Sequence, residues 1–236
     1  MPTKPTEIQP VRPVGRHSYG RYEAIRVFVP AVYLGLLVLM FSWTTFARTL
    51  AIDLSAGQGI VLFTFIVLIA AMSLYGKELP KRRRAFSTNQ PSFYLSTRAR
   101  TMKDMPLLSD EEARRVYFYL LNTVVPDAFH EKIFFFGAVY TVLITMRRIT
   151  LWFAAFGTAA AIAERSGLTT LADLRGLEVL TVILWLVYAL AVYYNKAERK
   201  MQENYQDQIF WLQMNDEAVQ DVLRRAKAIS TAVDNP

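Results

Sequence analysis

The chain contains no cysteine and only two histidines, His17 and His130. The first absence removes disulfides, thiolate nucleophiles, cysteine-bound zinc and iron–sulfur clusters together. The second leaves little imidazole for any other metal. No Gly-rich phosphate loop, zinc-protease helix motif, nucleophile elbow or potassium-filter sequence occurs in the 236 residues. The long apolar runs hold no carboxylate in their interiors, so a proton-coupled relay of acids is not expected. These absences point to a chain without cofactor, bound metal or catalytic residues.

What the sequence has in abundance is apolar residues gathered into blocks. Hydrophobic residues make up 53% of the chain and aromatics 13%, with a mean hydropathy of +0.20. A hydrocarbon core of about 30 Å takes roughly 20 helical residues to cross. Val27–Phe46 meets that length without a charge, and its Pro30 lies in the first turn, where a missing N–H costs least. A second run extends from Gly57 or Ile60 to Tyr75, a third from Ile133 to Ala163, and a fourth from Leu177 to Tyr194. The expected fold is therefore all-α, a polytopic membrane protein with four transmembrane helices plus cytoplasmic helices. Residues 1–26 read as a disordered, Pro-rich tail rather than a secretory leader. Residues 27–75 form a transmembrane hairpin, 76–132 a basic loop, 133–194 spans 3 and 4, and 195–236 an amphipathic tail helix. The small residues Ala155, Ala159 and Ala163 recur every four positions in the third run, a spacing suited to close packing of membrane helices.

Of the 27 lysines and arginines, 22 fall in the N-terminal tail, the 76–132 segment and the C-terminal tail, and three in the two intervening loops. The positive-inside rule puts the 22, and both termini, in the cytoplasm. The bacterial inner (plasma) membrane is the expected location. This distribution also accounts for the net charge of +7 and the pI near 9.6 without a nucleic-acid partner.

Several residues stand out against that frame. Arg147 and Arg148 interrupt the third apolar block, and a charge in a membrane span is a candidate functional site. No acidic residue in the runs offers them a partner. The leading reading places both at the cytoplasmic interface, with a span over about 146–164 and residues 127–145 in a cytoplasmic helical layer. The alternatives are an anion path in an oligomer, or a carboxylate from another subunit. Lys81, Arg82, Arg83 and Arg84 follow the second run and are suited to anionic lipid. In the loop, irregular around Pro91 and Pro106, Ser109 and Glu112 have the spacing of a capping box that opens a helix over 110–121. Asp127, His130 and Glu131 share one helix face, as metal ligands or acid–base groups would, though Asp127 after Pro126 also reads as a helix cap. In the tail, Tyr205, Leu212, Val219, Val222 and Ala226 form a partial heptad seam, with Gln208 and Asn215 at positions where apolar residues are expected. The seam is expected to mediate helix–helix contact, either between chains as a coiled coil or within one cytoplasmic bundle.

The pattern supports a non-enzymatic membrane subunit or scaffold. It would be a homo-oligomer or part of a larger membrane complex, with the lipid bilayer as its other partner. The alternative is a small oligomeric ion channel, and the third reading is an enzyme acting on lipid headgroups. Polar residues suited to lining a pore are sparse, which ranks the subunit first.

Overall fold

The computed structural model describes residues 16–46, 56–75, 90–102, 108–168 and 174–234. All regular structure in them is α-helical: α1 Arg16–Phe46, α2 Ala56–Tyr75, α3 Pro91–Thr101, α4 Asp110–Thr123, α5 Asp127–Arg165, α6 Leu174–Tyr194, α7 Lys196–Met214 and α8 Asp216–Asp234. They divide into two compact units. One gathers the described parts of Met1–Gly20, Arg82–Phe134 and Gln202–Pro236; the other, those of Arg21–Lys81 and Phe135–Met201.

The second unit is the apolar one. Its centre is α1, which packs on α2 through Val27 and Ala31 against Val67, Ala70 and Ala71. Leu37 and Phe41 of the same helix pack on Ile149 and Ala154 of α5 and on Leu177, Leu180 and Leu184 of α6. Polar contacts cross between these helices as well, among them Tyr33 Oη to Thr150 Oγ1 at 2.7 Å, and Trp185 Nε1 donating to Thr158 Oγ1 at 3.0 Å. Large apolar side chains also cover the outside, among them Met40, Phe65, Met72, Phe156 and Leu186. So wide an apolar surface is matched to hydrocarbon rather than water. Three stretches are long and apolar enough to cross a membrane, Gly20–Ser42, Asp127–Arg165 and Leu174–Met214; the apolar part of α2, Gly59–Leu74, is shorter.

The first unit is a bundle of amphipathic helices. Leu95 and Ala99 of α3, Val116 and Leu120 of α4, Leu212 of α7, and Val219 and Leu223 of α8 form its core. Full burial of each leucine stabilises by about 1.5–3 kcal/mol. The capping box of α4 forms as the sequence implies: Glu112 N donates to Ser109 Oγ at 3.2 Å and Ser109 N to Glu112 Oε2 at 2.8 Å.

Four local expectations need correction. Helix α1 starts at Arg16, so the last part of the expected tail, 16–26, is helical. Residues 91–101 are helical rather than irregular, because Pro91 stands at the first turn, where its fixed φ suits a helix. Asp127 does not cap α5; the Pro126 carbonyl accepts from Phe129 N and His130 N, and Asp127 lies in the first turn, where its charge favours the helix dipole. The tail is two helices, with a break at Asn215.

The small-residue stripe is displaced as well. Ala155 and Ala159 face outward and Ala163 is half-buried, while Ala154 and Gly157 are buried, and Ala160 and Ala161 pack against the core. A Cβ on Gly157 would collide with Thr181 Oγ1 and lie 3.2 Å from the Phe41 ring. Gly157 is therefore a point of close approach of α5 to α1 and α6. Gly157→Leu is expected to cost about 1–3 kcal/mol through overpacking and to lower the thermal midpoint of the detergent-solubilised protein. Ala155→Leu, two positions away on the outward face, should leave the midpoint in place. Equal effects of the two substitutions would contradict this packing.

Candidate functional site

In the apolar unit the chemistry concentrates at the two ends of the α5–α6 pair. Arg147 Nη2 donates to Glu198 Oε1 at 3.1 Å, and both side chains are partly buried. Glu198 in turn accepts from Asn195 Nδ2 through Oε2 at 2.6 Å. Asn195 separates α6 from α7 in the left-handed conformation, φ +42°, which Asn adopts more readily than most residues. That turn directs the first residues of α7 back to α5. The expectation that Arg147 lacks an acidic partner is thus corrected: the carboxylate comes from the polar tail, beyond the apolar run. Arg148, its neighbour, is exposed and makes no ion pair among the described residues.

At the other end Arg165 bonds Glu178 through Nε at 2.9 Å and Nη2 at 2.6 Å. Helix α5 stops there in a Schellman motif, with Gly167 at φ +74° and the bonds Leu168 N to Ala163 O and Gly167 N to Glu164 O. From Arg147 to Arg165 is about 27 Å at 1.5 Å per helical residue. From Glu178 to Tyr194, where α6 ends, the same rise gives about 24 Å, and both lengths approach a bilayer's hydrocarbon thickness. The two ion pairs therefore bracket a slab whose own charged residues, Arg148, Glu164 and Lys196, all stand next to its ends.

In the amphipathic bundle the seam residues meet the chain's own helices. Leu212 and Val219 are buried in its core, and Val222 and Ala226 pack against it. Tyr205 is half-buried, and it is Asn204, one position earlier, that is fully buried, with Gln208 one turn on. Tyr117 Oη donates to Gln208 Oε1 at 2.5 Å. Burial pushes the Tyr117 hydroxyl far above its ordinary range, with the nearby Tyr205 adding to it, so Tyr117 stays a neutral donor. Gln208 Nε2 and both side-chain polar atoms of Asn204 are buried without a hydrogen-bond partner, at about 1–3 kcal/mol for each unmet group.

A shallow groove on this bundle is lined by Tyr94, Thr97, Arg98, Thr101, Gln213 and Asp216. Arg98 grips Asp216 with two parallel bonds, Nε to Oδ1 at 2.8 Å and Nη2 to Oδ2 at 2.5 Å, and its Nη1 reaches Thr101 Oγ1 at 3.1 Å. This fork ties α3 to the start of α8. It holds the Asp216 carboxyl below its usual range and raises Arg98, while burial raises Tyr94. Neither Arg98 nor Asp216 carries a sequence signal that singles it out, since the two are 118 positions apart.

Asp127, His130 and Glu131 do not converge. Asp127 and Glu131 are exposed, whereas His130 is buried, 3.4 Å from Asn122 Oδ1 and packed on Phe134. Among the described residues no three histidine or acidic side chains are grouped to hold a metal. The cluster Lys81, Arg82, Arg83 and Arg84 lies outside the described residues. Compared with known protein families, characterised proteins and solved structures, the chain matches none.

The Arg98–Asp216 fork makes a testable contribution. Because the folded carboxyl titrates below its unfolded value near 3.8, its stabilisation is complete above that pH and is lost as the pH falls through the folded value. The pair is about one-third exposed, so screening limits it to about 1 kcal/mol. Asp216→Asn should lower the thermal midpoint at neutral pH and flatten its decline below pH 4, where the parent loses the same interaction. Identical acid limbs in parent and variant would show that the fork adds nothing.

Proposed function

We propose that this chain is a non-enzymatic integral membrane subunit with four spans, α1, α2, the Arg147–Arg165 part of α5, and α6. On this reading its amphipathic bundle lies in the cytoplasm as a docking module. One observation carries the proposal: the bundle builds a single core from segments that flank the α5–α6 pair. Two crossings between those segments return the chain to the same side, as a shared core requires. The spacing of the two ion pairs fits those crossings. Helix α2 is short for a span, but its antiparallel match to α1, with Phe63 and Val67 beside Gly35, makes it the counterpart of α1 across the bilayer. The 22-to-3 distribution of basic residues argues for the cytoplasmic side.

A bundle with its own core does not need the apolar side chains it leaves outside. Phe118 and Tyr119 on α4, and Phe210 and Met214 one turn apart on α7, are about half exposed or more. Aromatic and methionine side chains are favoured at protein contacts, which supports a docking role over catalysis. Arg147 is already neutralised by Glu198, which weakens the case for an anion channel.

Two measurements test the proposal. The natural absence of cysteine allows single cysteines to report topology: Glu111→Cys and Gln213→Cys should resist an impermeant thiol reagent in intact cells, and Leu168→Cys should react. Labelling of the first two would reverse the orientation. For docking, Phe210→Ser with Met214→Ser should leave the thermal midpoint within about 0.5 kcal/mol of the parent, as surface changes do, yet reduce the mass of the native detergent-extracted particle. A particle of unchanged mass would remove this face from the proposed contact.

A further inference from the structure

We infer that Arg148, not Arg147, is the centre of a binding site for an anionic phospholipid headgroup at the edge of the apolar unit. The inference rests on the membrane reading above and assigns the two adjacent arginines different tasks. Successive helical residues diverge by about 100°, so the two side chains leave α5 in different directions. Arg147 is drawn to Glu198 and its charge is cancelled. Arg148 keeps its full charge and its planar fork, which matches a phosphate's oxygens two at a time.

The surroundings select lipid phosphate over a free anion. Trp152 follows Arg148 by four residues, so it lies on the same helix face about 6 Å deeper in the apolar slab, and it is 75% exposed. Tyr193, 80% exposed, and Tyr194 end α6 close to the level of the Arg147–Glu198 pair. Lys196, with its ammonium 5.7 Å from the centre of the Tyr194 ring, and Arg199 are exposed cations within two residues of Glu198. Basic groups with tryptophan and tyrosine just beneath them are the composition of a headgroup boundary, where the charge meets phosphate and the ring meets glycerol and acyl chain. A site for soluble phosphate would gain nothing from exposed indole and phenol rings. The exposed cations Arg148, Lys196 and Arg199, each within two residues of the Arg147–Glu198 pair, also favour an anionic headgroup over a zwitterionic one.

The test is a lipid titration of the detergent-solubilised full-length protein, read by native mass spectrometry. Phosphatidylglycerol is expected to bind in preference to phosphatidylcholine, and excess inorganic phosphate should not displace it. Arg148→Gln should weaken phosphatidylglycerol binding about fivefold, the worth of one basic residue near an anionic surface. Arg148→Lys should weaken it less. Parent-like affinity in Arg148→Gln, or displacement by inorganic phosphate, would overturn the site. Alkaline carbonate washing of native membranes separates the two levels of failure. Retention of the parent without a phosphatidylglycerol preference sinks the lipid site alone, and its release from membranes sinks the membrane reading as well.

Discussion

A charged group at the border of an apolar surface must be neutralised or reach water, and the apolar unit is organised around how that is met at Arg147, midway along α5, and at Arg165, its end. Arg147 is met by Glu198, and Arg165 by Glu178. In both cases the carboxylate comes from the neighbouring α6–α7 segment, so one set of contacts balances charge and fixes the register of α5 against α6. Much of the interior follows from that register. Gly157 can lie against Thr181 and Phe41 only if the helices are aligned as the pairs align them, and Trp185 reaches Thr158 under the same constraint. Apolar contacts alone would hold the helices together in lipid without choosing between sliding alternatives, because a lipid tail solvates leucine as well as another leucine does.

The amphipathic bundle follows a different logic. Its core is aliphatic and its margins polar, with α3, α4, α7 and α8 all contributing. The Arg98–Asp216 fork binds two helices at the rim, and the Lys132–Asp207 pair at 2.8 Å binds two others. Inside, the Tyr117–Gln208 bond and the unmatched amide groups of Asn204 make one layer weaker than an all-leucine layer would be. Buried amides of this kind restrict which helices can pair and in what register, at the expense of stability.

Features set by local chemistry could be read from the sequence. The capping box at Ser109 and Glu112, the apolar run of α6 and the length of the third apolar block all depend on neighbours a few positions apart, and each has its helix. Features set by distant partners could not. Glu198 reads as an ordinary surface acid until the turn at Asn195 brings it to Arg147. Asp216 has no distinguishing neighbours and gains its role from Arg98. The tail seam shows the intermediate case: a periodicity near 3.5 marks Leu212 and Val219, which are buried, and Tyr205, which is half-buried, but it passes over the fully buried Asn204, because a polar residue is discounted when only hydrophobicity is counted. Pro91 misleads for the opposite reason, as proline ends a helix in its interior and opens one at its first turn. Ala155 and Ala159 face out of the single chain, because four-residue spacing identifies a face without identifying what lies opposite it.

The order of segments in the chain constrains how the protein is made. Leu95, Val116 and Leu120 belong to a core whose remaining parts, Leu212, Val219 and Leu223, lie beyond both α5 and α6. As the ribosome works from the N-terminus, α3 and α4 emerge with their apolar faces uncovered, and they stay uncovered until about the last 35 residues have been synthesised. At translation rates of about 5–20 residues per second, the interval between α4 and α8 lasts several seconds. During that interval the half-built bundle is open to aggregation or to a chaperone, and closing it requires contacts more than 90 positions apart, which form slowly for reasons of chain entropy. A nascent chain that stalls before α8 would therefore leave the apolar face of α4 uncovered. Completion of the tail would act as the chain's own checkpoint on assembly.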